Sequence, residues 1–391
     1  MNTKERNITF SILSAMAIVL IIAGHLDFSV FTMGELFPYY SFHVMIFIFI
    51  SGYFYKPEEE THILSYIKRK FVRLIIPYFI WNVFYGLLTM LLHQFGFAIG
   101  ENISLYNLFI APFLGGHQFM YNAPAWFVPA LFLLEVCNII GRKLLSFLHI
   151  RNETVLFIIY LCVGCASVYL AQRGSVYDYY RLPARIMFMA PAFSLGRMYK
   201  KSWEAKDTLP SMIYFPILII IQLIIINTHA GLGFSAVWVM SFANSPLTPY
   251  LTTFTGIAFF LRLAKVLTPA LKNSRFVNYL GENTYSVMMH HLFCLIGLKA
   301  VFVLISFFTP FCQDFDMSAY LSDIYYVYLP NGYTSFMWIY LLIGIFAPLG
   351  IHYLVQKLVK LIKASHLGSF MTHFFILSIY GTLYMLYFYL L

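Results

Sequence analysis

The chain has 391 residues, of which 61% are hydrophobic, 19% aromatic and only 10% charged. Soluble domains carry about 25% charged residues, so this sequence lacks the polar surface to cover a water-facing fold, and it reads as an all-α polytopic membrane bundle. The formal net charge of +9 is not a nucleic-acid signal, because the basic residues cluster at the ends of apolar runs, where they set topology.

Windows of ~20 apolar residues place candidate spans at 8–28, 40–55, 73–97, 125–147, 154–172, 183–199, 209–228, 247–270, 282–306, 334–362 and 369–391. The first ten form a predicted core over residues 1–365. The last, after the polar break at Lys363 to Gly368, reads as an added helix over 366–391. The first run is as long as a full span and has no small-x-small cleavage site after it, so it is expected to stay as an anchor.

Placing Lys4 and Arg6 inside makes every second loop basic. Lys68, Arg69, Lys70 and Arg73 lie in one such loop, Arg142, Lys143 and Arg151 in the next, and Lys357, Lys360 and Lys363 in the last. The alternate loops around 29–39, 98–124, 229–246 and 307–333 contain no Lys or Arg. Arg173, Arg181, Arg185 and Lys299 break the pattern. The N-terminus is therefore expected in the cytoplasm.

Ionisable groups at membrane depth cost several kcal/mol unless paired or hydrated, so each is a candidate for function. His25 lies near the outer end of the first span and His43 near the outer start of the second; an antiparallel pair brings them to similar depth. Such a histidine serves as a general base near neutral pH, or as an interfacial side chain bonded to a backbone carbonyl.

Glu135 sits mid-span, with Arg185 and Lys299 as expected partners. A buried ion pair holding the packing and a role in the site are both open readings of this residue. Arg181 and Arg185 share one helix face. The adjacent His290 and His291 point about 100° apart, so at most one faces a narrow cavity.

The basic run ending at Arg73 suits the phosphates of a donor or an anionic membrane lipid. Trp126 lies where a tryptophan anchors an interface or stacks on a sugar. The five cysteines (Cys137, Cys162, Cys165, Cys294, Cys312) read as packing residues, and no metal site is expected. Neither GxSxG, GxxxxGK[ST] nor HExxH occurs.

Several of these stretches resemble the membrane-bound acyltransferase-3 family, and within it the fucose 4-O-acetylase-like group. They are Gly24-His25, Phe42-His43 followed by Phe47 to Tyr53, and Arg69-x3-Arg73-x3-Pro77-Tyr78-x2-Trp81. Ala125 to Phe132, Arg185 to Gly196 and Asn283 to His291 extend the likeness. The resemblance implies ten core helices and transfer of an acetyl group from acetyl-CoA to a glycan hydroxyl. It also implies His25 as the catalytic candidate and Arg69 and Arg73 as groups placed to meet CoA. Many members carry an arginine eleven residues before that histidine; here the position is Ser14.

The resulting expectation is a membrane O-acetyltransferase. Lys68, Arg69, Lys70, Arg73 and Arg275 would hold acetyl-CoA, and His25, assisted by His43, would deprotonate the acceptor. Trp126, Glu135, Arg181, Arg185 and His291 would surround the glycan. The rival expectation is a transporter or flippase for a glycan or its precursor, with Pro191 and Pro348 as helix breaks.

Overall fold

The structure is a computed structural model and describes residues 7–28, 31 and 36–364. The run 369–391 lies outside the described residues. Apolar segments in lipid must satisfy every backbone group within the segment, which leaves the helix as their economical form. The described residues accordingly form helices and no strand, apart from an isolated bridge between Ser235 and Met240.

In chain order the helices are α1 (Ile8–His25), α2 (His43–Tyr53), α3 (Ile63–Lys70), α4 (Ile76–His93), α5 (Leu105–Phe109), α6 (Ala111–Leu114), α7 (Phe127–Phe147) and α8 (Glu153–Gln172). They continue as α9 (Arg181–Met198), α10 (Ser211–Thr228), α11 (Thr248–Leu271), α12 (Arg275–Glu282), α13 (Thr284–Phe308), α14 (Met317–Ser322) and α15 (Phe336–Ala364).

Among the described residues eight helical stretches are long and apolar enough to cross a membrane: α1, α3 with α4, Ala123 through α7, α8, α10, α11, α13 and α15. Two of the ten expected core spans are missing from this set. With eleven residues, α2 is too short to span alone, and α9 carries Arg181, Arg185 and Arg197. Both lie inside the bundle, where α1, α7, α8 and α11 pack on them. A five-residue π-helical turn, Phe71–Ile75, joins α3 to α4 and carries Arg73. Such turns displace the helix register locally and recur at functional sites.

The crossing of α2 and α9 sets the centre. A Cβ on Gly52 would meet the Phe193 carbonyl oxygen at 1.8 Å, and one on Gly196 would meet the Phe49 carbonyl oxygen at 2.0 Å. The two glycines therefore let the backbones touch, as small residues do between membrane helices. On the periphery, α10 turns Ile213, Ile217, Ile220 and Ile224 outward, the face expected against lipid.

Ion pairs knit the basic end. Arg142 on α7 clamps Glu153 of α8 through both terminal nitrogens, each at 2.9 Å, and reaches Glu60 at 2.8 Å. Asp207 receives Lys265 at 2.7 Å and the Tyr199 hydroxyl at 2.8 Å, and also pairs with Arg262. Burial alone would raise the Asp207 carboxyl, but these donors hold it below the usual carboxylate value.

Two exceptions to the charge pattern are internal struts at the opposite end. Arg185, fully buried, donates to the Val237 carbonyl at 3.0 Å and to Gly115 at 3.4 Å, with its guanidinium 4.6 Å above Trp126. Lys299 donates to the carbonyls of Ile324 (3.2 Å) and Tyr326 (2.9 Å).

Candidate functional site

A cavity of about 640 Å³ opens among α1, α2, α7, α13 and the loop before α11. Ser14, Ile18, Ile21 and His25 line it from α1. They share one helix face and span about 16 Å at 1.5 Å per residue. From the antiparallel α2 come His43, Val44, Phe47, Ile50 and Ser51, so the two histidines meet at one end and the two serines at the other.

Arg73, Glu282 and Thr284 line the serine end, with Tyr285 beside them. Pro124, Trp126, Tyr40 and the segment Phe234 to Val237 wall the histidine end. Between the ends the wall is apolar, with Phe127, Leu131 and Met288 facing inward. The cavity is thus a slot with the charged side chains Arg73 and Glu282 at one end, imidazoles at the other and a hydrocarbon middle.

Each imidazole is oriented by a specific partner. His43 Nδ1 lies 2.6 Å from the Tyr39 carbonyl, one turn back. A carbonyl can only accept, so the neutral ring keeps its proton on Nδ1 and leaves Nε2 as a base. His25 Nδ1 lies 3.0 Å from His291 Nε2, and the Tyr325 ring stacks against His25 at 5.9 Å between centroids. The Tyr40 hydroxyl donates to the Gly24 carbonyl, and the Tyr40 ring meets His43 edge-on at 5.3 Å. The link between α1 and α2 is thereby tied to both histidines.

Four of the residues expected in the site line the cavity: His25, His43, Arg73 and Trp126. The others lie elsewhere. Lys68 and Arg275 are exposed, and Arg69 pairs with Glu59 at 2.7 Å. Lys70 pairs with Glu135 at 2.6 Å. That pair corrects the expectation that Arg185 or Lys299 would meet Glu135: both are held by loop carbonyls at the opposite end, whereas the last turn of α3 lies on α7.

Arg181 lies 4.7 Å over Trp238, which does not line the cavity, and Arg185 lies 4.6 Å over Trp126, which does, so of the two only Arg185 packs against the cavity wall. His291, fully buried, sits behind His25, while His290 Nδ1 turns away to the Tyr85 hydroxyl at 2.7 Å. Sequence reasoning missed Tyr40, Ser51, Tyr285 and the Phe234 to Val237 segment. Among these, Tyr285 has a buried hydroxyl with no hydrogen-bond partner. Among the described residues no group of three or more His, Cys, Asp and Glu side chains is placed to hold a metal ion.

The sequence profile of the acyltransferase-3 family, an acyltransferase domain, matches residues 10–315. The chain is a member of the acyltransferase-3 family. Comparison with curated proteins and with solved structures finds no match. The matched stretch of this acyltransferase-3 protein contains every cavity-lining residue. Tyr325, which stacks on His25, and α15 lie beyond it.

Proposed function

We propose that this membrane acyltransferase moves the acetyl group of acetyl-CoA to a hydroxyl of a cell-surface or lipid-linked glycan. In this reading it lies in the bacterial inner membrane with its N-terminus in the cytoplasm. The observation that carries the reading is the slot along α1, with Arg73 at one end and His25 and His43 at the other. A donor that is anionic at one end and reactive at the tip of a long thin arm matches that shape and polarity.

In this reading the CoA phosphates meet Arg73 on the cytoplasmic side, since a guanidinium binds phosphate through paired charge-assisted hydrogen bonds. The pantetheine arm extends along Ile18, Ile21 and Phe47 and brings the thioester to His25. The glycan hydroxyl enters from the opposite side, past Trp126 and the Phe234 to Val237 segment.

His25 Nε2 takes the hydroxyl proton as the sugar oxygen attacks the thioester carbon. The C–O bond forms, the tetrahedral intermediate collapses, the C–S bond breaks, and the imidazolium returns its proton to the departing thiolate. His43, whose Nε2 is also unprotonated in the neutral ring, assists by accepting a hydrogen bond from the acceptor. The chemistry then occurs at the far end of the slot, and only the acetyl group passes to the outer substrate.

The test incubates purified protein in nanodiscs with radiolabelled acetyl-CoA and a cell-envelope glycan extract. Label is expected in the glycan with the wild type and with a surface control, Lys357→Ala, and absent with His25→Ala. A protein that neither transfers acetyl nor hydrolyses the thioester, yet moves glycan across proteoliposomes, is a transporter instead.

A further inference from the structure

We infer that His291 is the positioning residue that fixes the tautomer of His25 and leaves its Nε2 free as the base. The inference rests on acyl transfer as the function, but the geometry behind it stands apart from the identity of donor and acceptor.

His291 Nδ1 lies 2.8 Å from the Val287 carbonyl oxygen, one turn back on α13. That oxygen has only lone pairs, so Nδ1 carries the proton and Nε2 of the neutral ring is an acceptor. At 3.0 Å from that acceptor stands His25 Nδ1, which must therefore be the donor. The proton of a neutral His25 is pinned on Nδ1, and its Nε2 carries the lone pair. A carbonyl on α13 thus decides, through two imidazoles, which nitrogen of His25 is basic.

Burial makes the assignment firm. His291 is fully buried and does not line the cavity, so water has no route to replace it as the acceptor. The rings of His25 and His291 stand 5.0 Å apart at 36°, and Tyr325 backs His25 from another side. His25 is the last residue of α1, where the helix no longer restrains its side chain from both sides. The His25 imidazole is half-buried at the cavity wall, with the Ile21 backbone one turn back as its contact on α1, and His291 is the partner that meets its Nδ1 from another helix.

Tautomer control of this kind is worth as much as the base itself, because a ring protonated at the reacting nitrogen cannot accept. His291→Phe keeps a flat ring but deletes the acceptor. It is expected to lower kcat by about 10²–10⁴-fold, the usual worth of a general base, with the donor KM changed less than about 3-fold. His291→Gln offers an amide oxygen near the place of Nε2 and is expected to recover most of the loss.

The deciding measurement is independent of turnover: ¹⁵N NMR of the imidazoles in the full-length protein in nanodiscs, with the His25 signals assigned by difference against His25→Gln. Wild type and His291→Gln are expected to show His25 protonated on Nδ1, and His291→Phe a shift toward the Nε2-protonated form. A wild-type His25 protonated on Nε2 overturns the inference, whether or not the phenylalanine variant folds. So does a His291→Phe enzyme with unchanged kcat. The expected tautomers in a protein that transfers no acetyl group would uphold the positioning role and sink the acyltransfer reading instead.

Discussion

Lys70 Nζ lies 2.6 Å from Glu135 Oε1, drawing the last turn of α3 onto the middle of α7. The glutamate side chain is 2% exposed and the lysine side chain 26%, so the pair straddles the edge of the bundle. Deleting one member of a buried pair leaves an uncompensated charge and costs about 3–5 kcal/mol. Lys70→Met is expected near the lower end of that range, because Lys70 keeps partial contact with solvent. Lys70→Met with Glu135→Leu is expected to regain most of the stability, since an apolar pair of similar volume replaces the ions. Thermal unfolding in detergent checks both. If the pair is structural, the double variant also keeps the donor KM of the wild type; a large rise would return Lys70 to the donor site.

Arg73 stands in a different position, as the one lysine or arginine among the described residues that line the cavity. It is carried by the π-helical turn, is exposed, and lines the slot together with Ser14 and Ser51. A charge-assisted hydrogen bond contributes about 1.5–3 kcal/mol, so Arg73→Ala is expected to raise the donor KM by roughly 10–100-fold. Lys68→Ala and Arg275→Ala, at exposed positions away from the slot, are expected to change it by less than about 3-fold, the scale of surface charge effects. Initial rates against donor concentration decide. Equal effects at all three positions would mean that a diffuse basic surface, and not one guanidinium, attracts the donor.

Gly52 and Gly196 make the helix crossing that the site is built around. A methyl group on either would sit 1.8–2.0 Å from a backbone oxygen of the opposing helix, where no side-chain rotation relieves the clash. Overpacking ordinarily costs about 1–3 kcal/mol; a backbone-on-backbone clash is expected at or above that range. Gly52→Ala and Gly196→Ala are each expected to lower the unfolding midpoint. Gly297→Ala, on α13 with no neighbour close to the added carbon, is the matched control. Equal midpoints for all three would show that the crossing tolerates separation.

Most of the long helices were legible in the sequence, because a ~20-residue apolar run has few other stable forms in lipid and the Lys and Arg bias marks which ends lie together. Of the residues singled out by depth and by the family resemblance, His25, His43, Arg73 and Trp126 line the cavity. The contact between His25 and His291 was not, since 266 positions separate them and no periodicity links α1 to α13.

The partner of Glu135 was misread for a similar reason. Residue type names a class of partner, but the lean of α3 on α7 decides which cation arrives. Arg185 and Lys299 looked like site or pair candidates because they broke the charge rule. Their physical role is to hold loop carbonyls, a use of cations that leaves no sequence pattern. The segment Phe234 to Val237 gave no signal beyond a loop without lysine or arginine.

His117 lies in the loop that Arg185 reaches through the Gly115 carbonyl, outside the membrane-spanning helices. Its Nδ1 is 2.9 Å from the Gly115 carbonyl and its ring stacks on Trp238 at 4.8 Å, the same indole that Arg181 covers from 4.7 Å. Burial lowers its pKa to about 4 from the ordinary 6.5, against the carbonyl contact that favours the charged ring; the nearby Arg185 and Arg181 charges push the same way as burial. The unfolded chain therefore binds this proton first. Above about pH 6.5 both states are neutral at His117 and it adds no pH slope. Between 6.5 and about 4 the unfolded state alone gains the proton, so the fold loses stability as pH falls, and below about 4 this slope ends. His117→Gln removes the titration. The unfolding midpoint of the wild type is expected to drop more steeply than that of the variant between pH 6.5 and 4.5, with the two curves parallel from pH 7 to 8. Parallel curves over the whole range would show that the loop accommodates a charged imidazole beside two arginines, which the packing of both His117 and Arg181 on Trp238 argues against.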